Sequence, residues 1–152
     1  MIGRHRFLFF LFGVSAAFAG SDPDFGGAWR LNTERSTIGS QPRPPARRMT
    51  VRQGGEGARY SLEIQDEDPA TLWHAAVGGH ESRDRFDDGI MSTMAKWEGA
   101  ALLINTIVNG RSRSYTRMDR WQISKDRKTL TIHRSVVDRS GEVESALVYE
   151  KP

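Results

Sequence analysis

The sequence predicts an all-β domain: an antiparallel up-and-down meander of roughly eight to ten strands that closes into a barrel, with a two-sheet β-sandwich as the alternative. Three observations carry this. Apolar and polar residues alternate with period two through most of the chain after residue 25, as strands with one buried face require. Glycine-containing pairs separate the alternating runs at hairpin spacing. Helical periodicity is nearly absent from the same stretch.

Taken in order, the first strand carries Trp29 and Leu31 on one face, and the second carries Met49 and Val51. Between them, residues 33–47 form a long extended loop, because Pro42, Pro44 and Pro45 restrict their own φ and the residues before them. Tyr60, Leu62 and Ile64 share a face against Ser61, Glu63 and Gln65, the clearest strand of the chain. Trp73, Ala75 and Val77 follow. Over residues 81–97 the pattern leaves alternatives open. Glu81 to Asp88 reads as polar edge strand or loop, and Ile90, Met94 and Trp97 would also line a short helix; strand is the preferred reading. Residues 101–108 form an apolar run suited to a strand buried on both faces. The last strands fall near 113–123, 128–137 and 143–150. Turns are expected at Gly54-Gly55, Gly78-Gly79, Glu98-Gly99, Asn109-Gly110, Lys125-Asp126-Arg127 and Ser140-Gly141. Asn-Gly suits a two-residue type I′ turn best. Connections this short exclude the crossovers of a parallel sheet.

Residues 1–19 have the layout of a cleaved export signal. Arg4, His5 and Arg6 precede an apolar run from Phe7 to Phe18, and Ala17-Phe18-Ala19 supplies small residues ahead of a cut at Gly20. The run is shorter than the roughly 20 apolar residues of a membrane span, and no later stretch qualifies. One domain over 20–152, periplasmic or secreted, is therefore expected. Arg4 and Arg6 leave with the signal, so the formal net charge falls from +3 to +1, which argues against a nucleic-acid binder. The chain has no cysteine, so its stability must rest on a single hydrophobic core without disulfides.

Charged residues in apolar registers are the main functional signal. Tyr115, Arg117, Asp119, Trp121 and Ile123 share one face of a strand, and Leu130, Ile132, Arg134 and Val136 share one face of the next. If Trp121 and Ile132 point inward, so do Arg117, Asp119 and Arg134, and an unpaired buried guanidinium costs about several kcal/mol. Three outcomes satisfy that constraint: a closed internal ion pair, a β-bulge that turns the charges to solvent, or an anion site. In the last, Arg117 and Arg134 hold a carboxylate and Asp119 orients one of them. Tyr115, Trp73 and Trp97 would then line the apolar part. His74, His80 and His133 have no metal-ligand spacing and read as surface or rim residues. Glu63, Asp66, Glu67 and Asp68 read as a solvated turn, and Arg43, Arg47, Arg48 and Arg52 as decoration of a loop. Neither a nucleophile elbow nor a P-loop nor a dinucleotide fingerprint occurs. No catalytic residue, cofactor or metal is assigned.

The Gly-x-Trp within Phe25-Gly26-Gly27-Ala28-Trp29 resembles the opening of the first lipocalin strand. The string Gly27-Ala28-Trp29-Arg30-Leu31-Asn32 with Ser36, and at the other end Asp119-Arg120-Trp121, Ser124-Lys125-Asp126, Lys128-Thr129-Leu130-Thr131-Ile132 and Val148-Tyr149-Glu150-Lys151, look like secreted bacterial lipocalin-like domains of the calycin type. The resemblance covers both ends of the chain and not residues 40–90, and the Thr-Asp-Tyr-like turn of that family is missing. It implies a barrel with Trp29, and with it Trp121, plugging the closed end. Arg117, Arg120 or Arg134 would cover Trp29.

These readings converge on an exported, monomeric, non-catalytic protein holding a small, largely apolar, carboxylate-bearing or otherwise amphiphilic molecule. The alternatives are a ligand-free interaction or structural module of the cell envelope, and an enzyme using Asp119 or a histidine inside the barrel.

Overall fold

The structure, a computed structural model, describes residues 23–55, 59–86 and 88–152. The expected export signal lies outside them. Ten strands follow one another: β1 (Gly27–Leu31), β2 (Arg48–Gly54), β3 (Ser61–Glu67), β4 (Thr71–Ala76), β5 (Ser82–Phe86), β6 (Gly89–Glu98), β7 (Ala101–Asn109), β8 (Ser114–Ile123), β9 (Thr129–Asp138) and β10 (Gly141–Glu150). They make one antiparallel sheet in the order β4-β3-β2-β1-β10-β9-β8-β7-β6-β5. Pairing of β1 with β10 curls the meander into a nearly closed barrel, not a two-sheet sandwich, and leaves β4 and β5 facing each other across a seam.

Side-chain parity builds the interior. Met91, Thr93 and Ala95 of β6, Leu102, Ile104, Thr106 and Val108 of β7, and Tyr115, Arg117, Asp119 and Trp121 of β8 are all buried, while the residues alternating with them, Ala101 excepted, are half-buried or exposed. Residues 82–86 and 89–98 are strands, so Ile90 and Met94 sit on the outer face at 49% and 47% exposure. The run at 101–108 differs from expectation. Beyond Ala101, which is also buried, it is buried on one face only, and Ile107 is 49% exposed, because a barrel covers the inside of its wall and, among the described residues, nothing packs on the outside there. Asn109-Gly110 also departs from a two-residue turn. Gly110 N–H donates to Arg113 O at 2.9 Å, and the Asp88 carboxylate accepts from Ser112 N and Oγ at 3.1 and 2.9 Å. The longer turn is selected by this side-chain cap.

At the seam, among the described residues, the only backbone pairing is the parallel bridge of Val77 with Ala95. Asp84 supplies what the ladder lacks: Oδ2 accepts from the His74 amide at 2.8 Å, and Oδ1 lies 2.8 Å from His74 Nδ1. Glu63 Oε2 stands 3.6 Å from the other ring nitrogen. Replacing Asp84 by alanine should open this edge locally. Losing a charge-assisted bond of about 1.5–3 kcal/mol would speed hydrogen exchange at the His74 amide roughly ten- to hundredfold, with little change at β8 and β9. An unchanged rate at His74 would refute the seam's dependence on that carboxylate.

The end where β1 begins is filled by aromatic rings. Phe25 stacks on Trp97 with centroids 6.2 Å apart and meets Trp121 edge-on at 5.7 Å, and Tyr60 lies 5.0 Å from Trp97. Trp29 is buried and donates from Nε1 to Phe25 O at 2.9 Å. Full burial of one such indole removes about 200 Å² from water, about 5 kcal/mol as an upper bound. The cation over Trp29 is Lys151, 5.2 Å from the ring, not Arg117, Arg120 or Arg134. Trp29 sits where β10 finishes, whereas Arg117 and Arg134 lie farther up the barrel and Arg120 faces outward to Glu98 at 3.4 Å. Among the described residues, no helix is long and apolar enough to cross a membrane.

Candidate functional site

A strap closes the opposite mouth. After β1 the chain runs along β10, with Thr37 and Ala146 exchanging two backbone hydrogen bonds of 2.8 Å. It then crosses the opening before β2. Gly39 approaches β10 so closely that a Cβ would lie 2.3 Å from Val143 Cγ1 and 2.9 Å from Glu144 O. Ser145 Oγ accepts from Gly39 N and Gln41 Nε2, both at 3.0 Å. Arg113, in the β7–β8 turn, donates to Pro42 O. Arg43 donates to Ala70 O at 3.0 Å and its guanidinium sits 4.4 Å over the Phe86 ring. Tyr149 Oη donates to Ala46 O at 2.8 Å. The prolines keep this segment extended and poor in backbone donors, so side chains from the rim hold it. Arg43 thus ties the strap to the seam rather than decorating a loop. Arg47 and Arg48 make exposed pairs with Asp68 and Glu67 at 3.5 and 3.2 Å.

Beneath the strap the inward charges meet. Asp119 and Arg134 are direct cross-strand partners in an unbroken β8–β9 register, so no bulge turns them out. Arg134 Nε and Nη2 donate to Asp119 Oδ1 and Oδ2 at 2.8 and 2.9 Å, a bidentate fork. Trp121 Nε1 adds a long 3.4 Å bond to Oδ2. Burial pushes the Asp119 carboxyl up, but Arg134 and Arg117 pull it further down, to a net position below the usual carboxylate range. Arg117 is different. Its Nε is 3.8 Å from Asp119 Oδ2, too far for a hydrogen bond, and among the described residues both Nε and Nη2 are buried without a hydrogen-bond partner. Those two nitrogens form the same planar fork that Arg134 fills with Asp119. The guanidinium stands 4.9 Å over Trp73, whose Nε1 donates to Asp66 Oδ2 at 3.0 Å. Burial, followed by repulsion from Arg134, holds Arg117 below its ordinary value.

Trp73, Tyr115, Arg117 and Arg134 all border one cavity, whose roof is Pro42, Pro44 and Ala46 of the strap. Its volume is about 20 Å³, room for one or two waters. Asp119 lies below it, and Trp97 is not part of it: that ring belongs to the aromatic stack at the other end. Asp66, which the sequence reading placed in a solvated turn, belongs to β3 and faces this cavity. The signal was present, since Asp66 continues the parity of Leu62 and Ile64. The strap's course over the mouth had no sequence signal.

Two further polar groups lie in the same layer. Thr106 is the cross-strand partner of Arg117, and Thr93 is that of Thr106. Both are fully buried, and among the described residues both hydroxyls lack a hydrogen-bond partner. Thr106→Val keeps the shape and removes an unsatisfied group, so it should raise stability by about 1 kcal/mol in urea denaturation. A loss of that size would instead place an ordered water on the hydroxyl. Among the described residues, no group of three or more His, Cys, Asp or Glu is placed to hold a metal ion.

The class this geometry defines is a lipocalin-like barrel: ten antiparallel strands, nearly closed, one end packed with aromatics and the other strapped over buried charges. Among solved structures the chain is similar to a secretary abundant heat soluble (SAHS) protein from Ramazzottius varieornatus, crystallised from a dimer sample. The TM-score is 0.55 at 16% identity, over 84% of this chain and 95% of that one. At that identity the likeness speaks for the fold alone. No protein-family model matches the chain, and no curated protein does.

Proposed function

We propose that this chain is an exported, non-catalytic binding protein that holds a small carboxylate-bearing molecule under the strap, at the mouth of its barrel. One observation carries the reading: the buried fork of Arg117, two parallel N–H donors with nothing to bond, beside a neighbouring arginine whose identical fork is filled by a carboxylate. A planar two-oxygen anion fits that fork as Asp119 fits Arg134. Trp73, Met49 and Ala46 would contact the ligand's apolar part. Since the cavity is about 20 Å³, anything larger than formate, acetate included, requires the strap to lift from Ser145 and Tyr149. Export is supported by the pattern of residues 1–19.

The test is a titration of carboxylates from acetate to decanoate, followed by tryptophan fluorescence, in the wild type and in Arg117→Ala. The expected result is a saturable response that the variant loses at unchanged fold. No response to any chain length, or an equal response in the variant, would refute the reading. The second reading, a ligand-free envelope module, is favoured by the same small cavity and the aromatic filling of the other end. It expects no response and a partner recovered by crosslinking.

A further inference from the structure

Resting on that carboxylate reading, we infer that Asp66 couples anion binding to proton uptake: a carboxylate docking on Arg117 brings one proton from solvent onto Asp66. The argument is a charge count over named groups. Arg117 and Arg134 are the two buried cations and face Asp119 and Asp66, two against two, while Arg43 reaches Asp66 only from the half-buried strap, where its guanidinium bonds Ala70 O. Asp119 is held by both nitrogens of the Arg134 fork at 2.8 and 2.9 Å. Asp66 instead accepts from the neutral indole N–H of Trp73 at 3.0 Å.

An incoming anion adds a third negative charge to two buried cations, and a buried uncompensated charge is costly. The cheapest relief is to neutralise the carboxyl held least well. Asp66 is that group. The groups facing it are Trp73 from β4, Arg117 from β8, Arg134 from β9, Tyr149 from β10 and Arg43 from the strap. Burial pushes its carboxyl above the usual range, and the pulls of Arg117, Arg134, Trp73 and Arg43 do not cancel that. Tyr149 is pushed up by burial as well and stays neutral. In the ligand-bound state the Arg117 fork turns to the ligand, so the pull of Arg117 on Asp66 is shared and protonation becomes easier still. Charge then balances: one anion and one proton enter together, and the interior stays neutral.

The consequence is a binding equilibrium that strengthens as pH falls. Between the Asp66 midpoint of the free protein and its higher midpoint in the complex, affinity for a carboxylate should drop about tenfold per pH unit, the slope of a one-proton linkage. The experiment is calorimetric titration with acetate in half-unit steps from pH 5 to pH 8, at each pH in two buffers of different ionisation heat. These buffers release different heat when they give up a proton, so the difference in apparent enthalpy counts protons. Uptake that rises to about one proton per acetate between the free and bound Asp66 midpoints is expected for the wild type. Asp66→Asn is expected to bind acetate with no proton uptake and with affinity constant within about twofold from pH 6 to pH 8. Acetate binding that needs Arg117 but takes up no proton would overturn the coupling and leave the site standing. Uptake that persists in Asp66→Asn would also overturn it. No acetate binding at any pH from 5 to 8 would overturn both.

Discussion

Replacing Asp119 by alanine is expected to cost about 3–5 kcal/mol of folding stability, read from urea or thermal denaturation. Asp119 is the only carboxylate that bonds directly to either buried arginine among the described residues. Its removal strands the Arg134 fork and takes the nearest anion from Arg117, both of them buried. Against a total of about 5–15 kcal/mol for a domain, that loss brings the variant near the point of unfolding at room temperature. The sign with pH follows. Asp119 sits below its ordinary range when folded, so its contribution is full above the unfolded carboxylate pKa and is lost as pH falls through that value towards the folded one. The wild type should therefore lose stability in acid over a window that Asp119→Ala lacks. A cost under about 1 kcal/mol would mean that water reaches these guanidiniums after all.

Arg117→Met should move the other way. The residue carries a buried cation whose Nε and Nη2 bond to nothing, while Asp119 keeps both bonds to Arg134 without it. An apolar side chain of similar reach, packed on Trp73, should stabilise the fold by about 1–2 kcal/mol, because a desolvated charge without hydrogen bonds is removed. Carboxylate binding should vanish in the same variant. Arg134→Met provides the contrast: it leaves Asp119 buried with only the long Trp121 bond and Arg117 at 3.8 Å, and should destabilise by about 3–5 kcal/mol. Two arginines at matching inward positions on neighbouring strands are thus expected to differ in sign. A destabilised Arg117→Met would show that Arg117 is structural and that its fork is satisfied by water.

Much of the wall was legible in the sequence, because the period of two is a local property of the chain. The inward faces of β8 and β9 were read from Trp121 and Ile132, and Arg117, Asp119 and Arg134 came with them by parity alone. The same rule, carried two residues past Ile64, places Asp66 inside; it was missed because a run of acids looks like a turn. The two-face burial expected at 101–108 failed for a related reason. Local apolarity does not say whether anything covers the outer face.

By itself, then, the sequence determined which side chains look inward and that strands succeed one another through tight turns, since both are set by alternation and turn chemistry over a few residues. Tertiary structure alone decided which arginine takes Asp119 and which is left with an empty fork. It also decided that the proline segment spans the mouth, and that Asp84 and Arg43 hold the seam. Those outcomes depend on distances between residues far apart in the chain, as with Arg43 and Phe86 at 4.4 Å. Such distances are fixed only when β1 closes on β10.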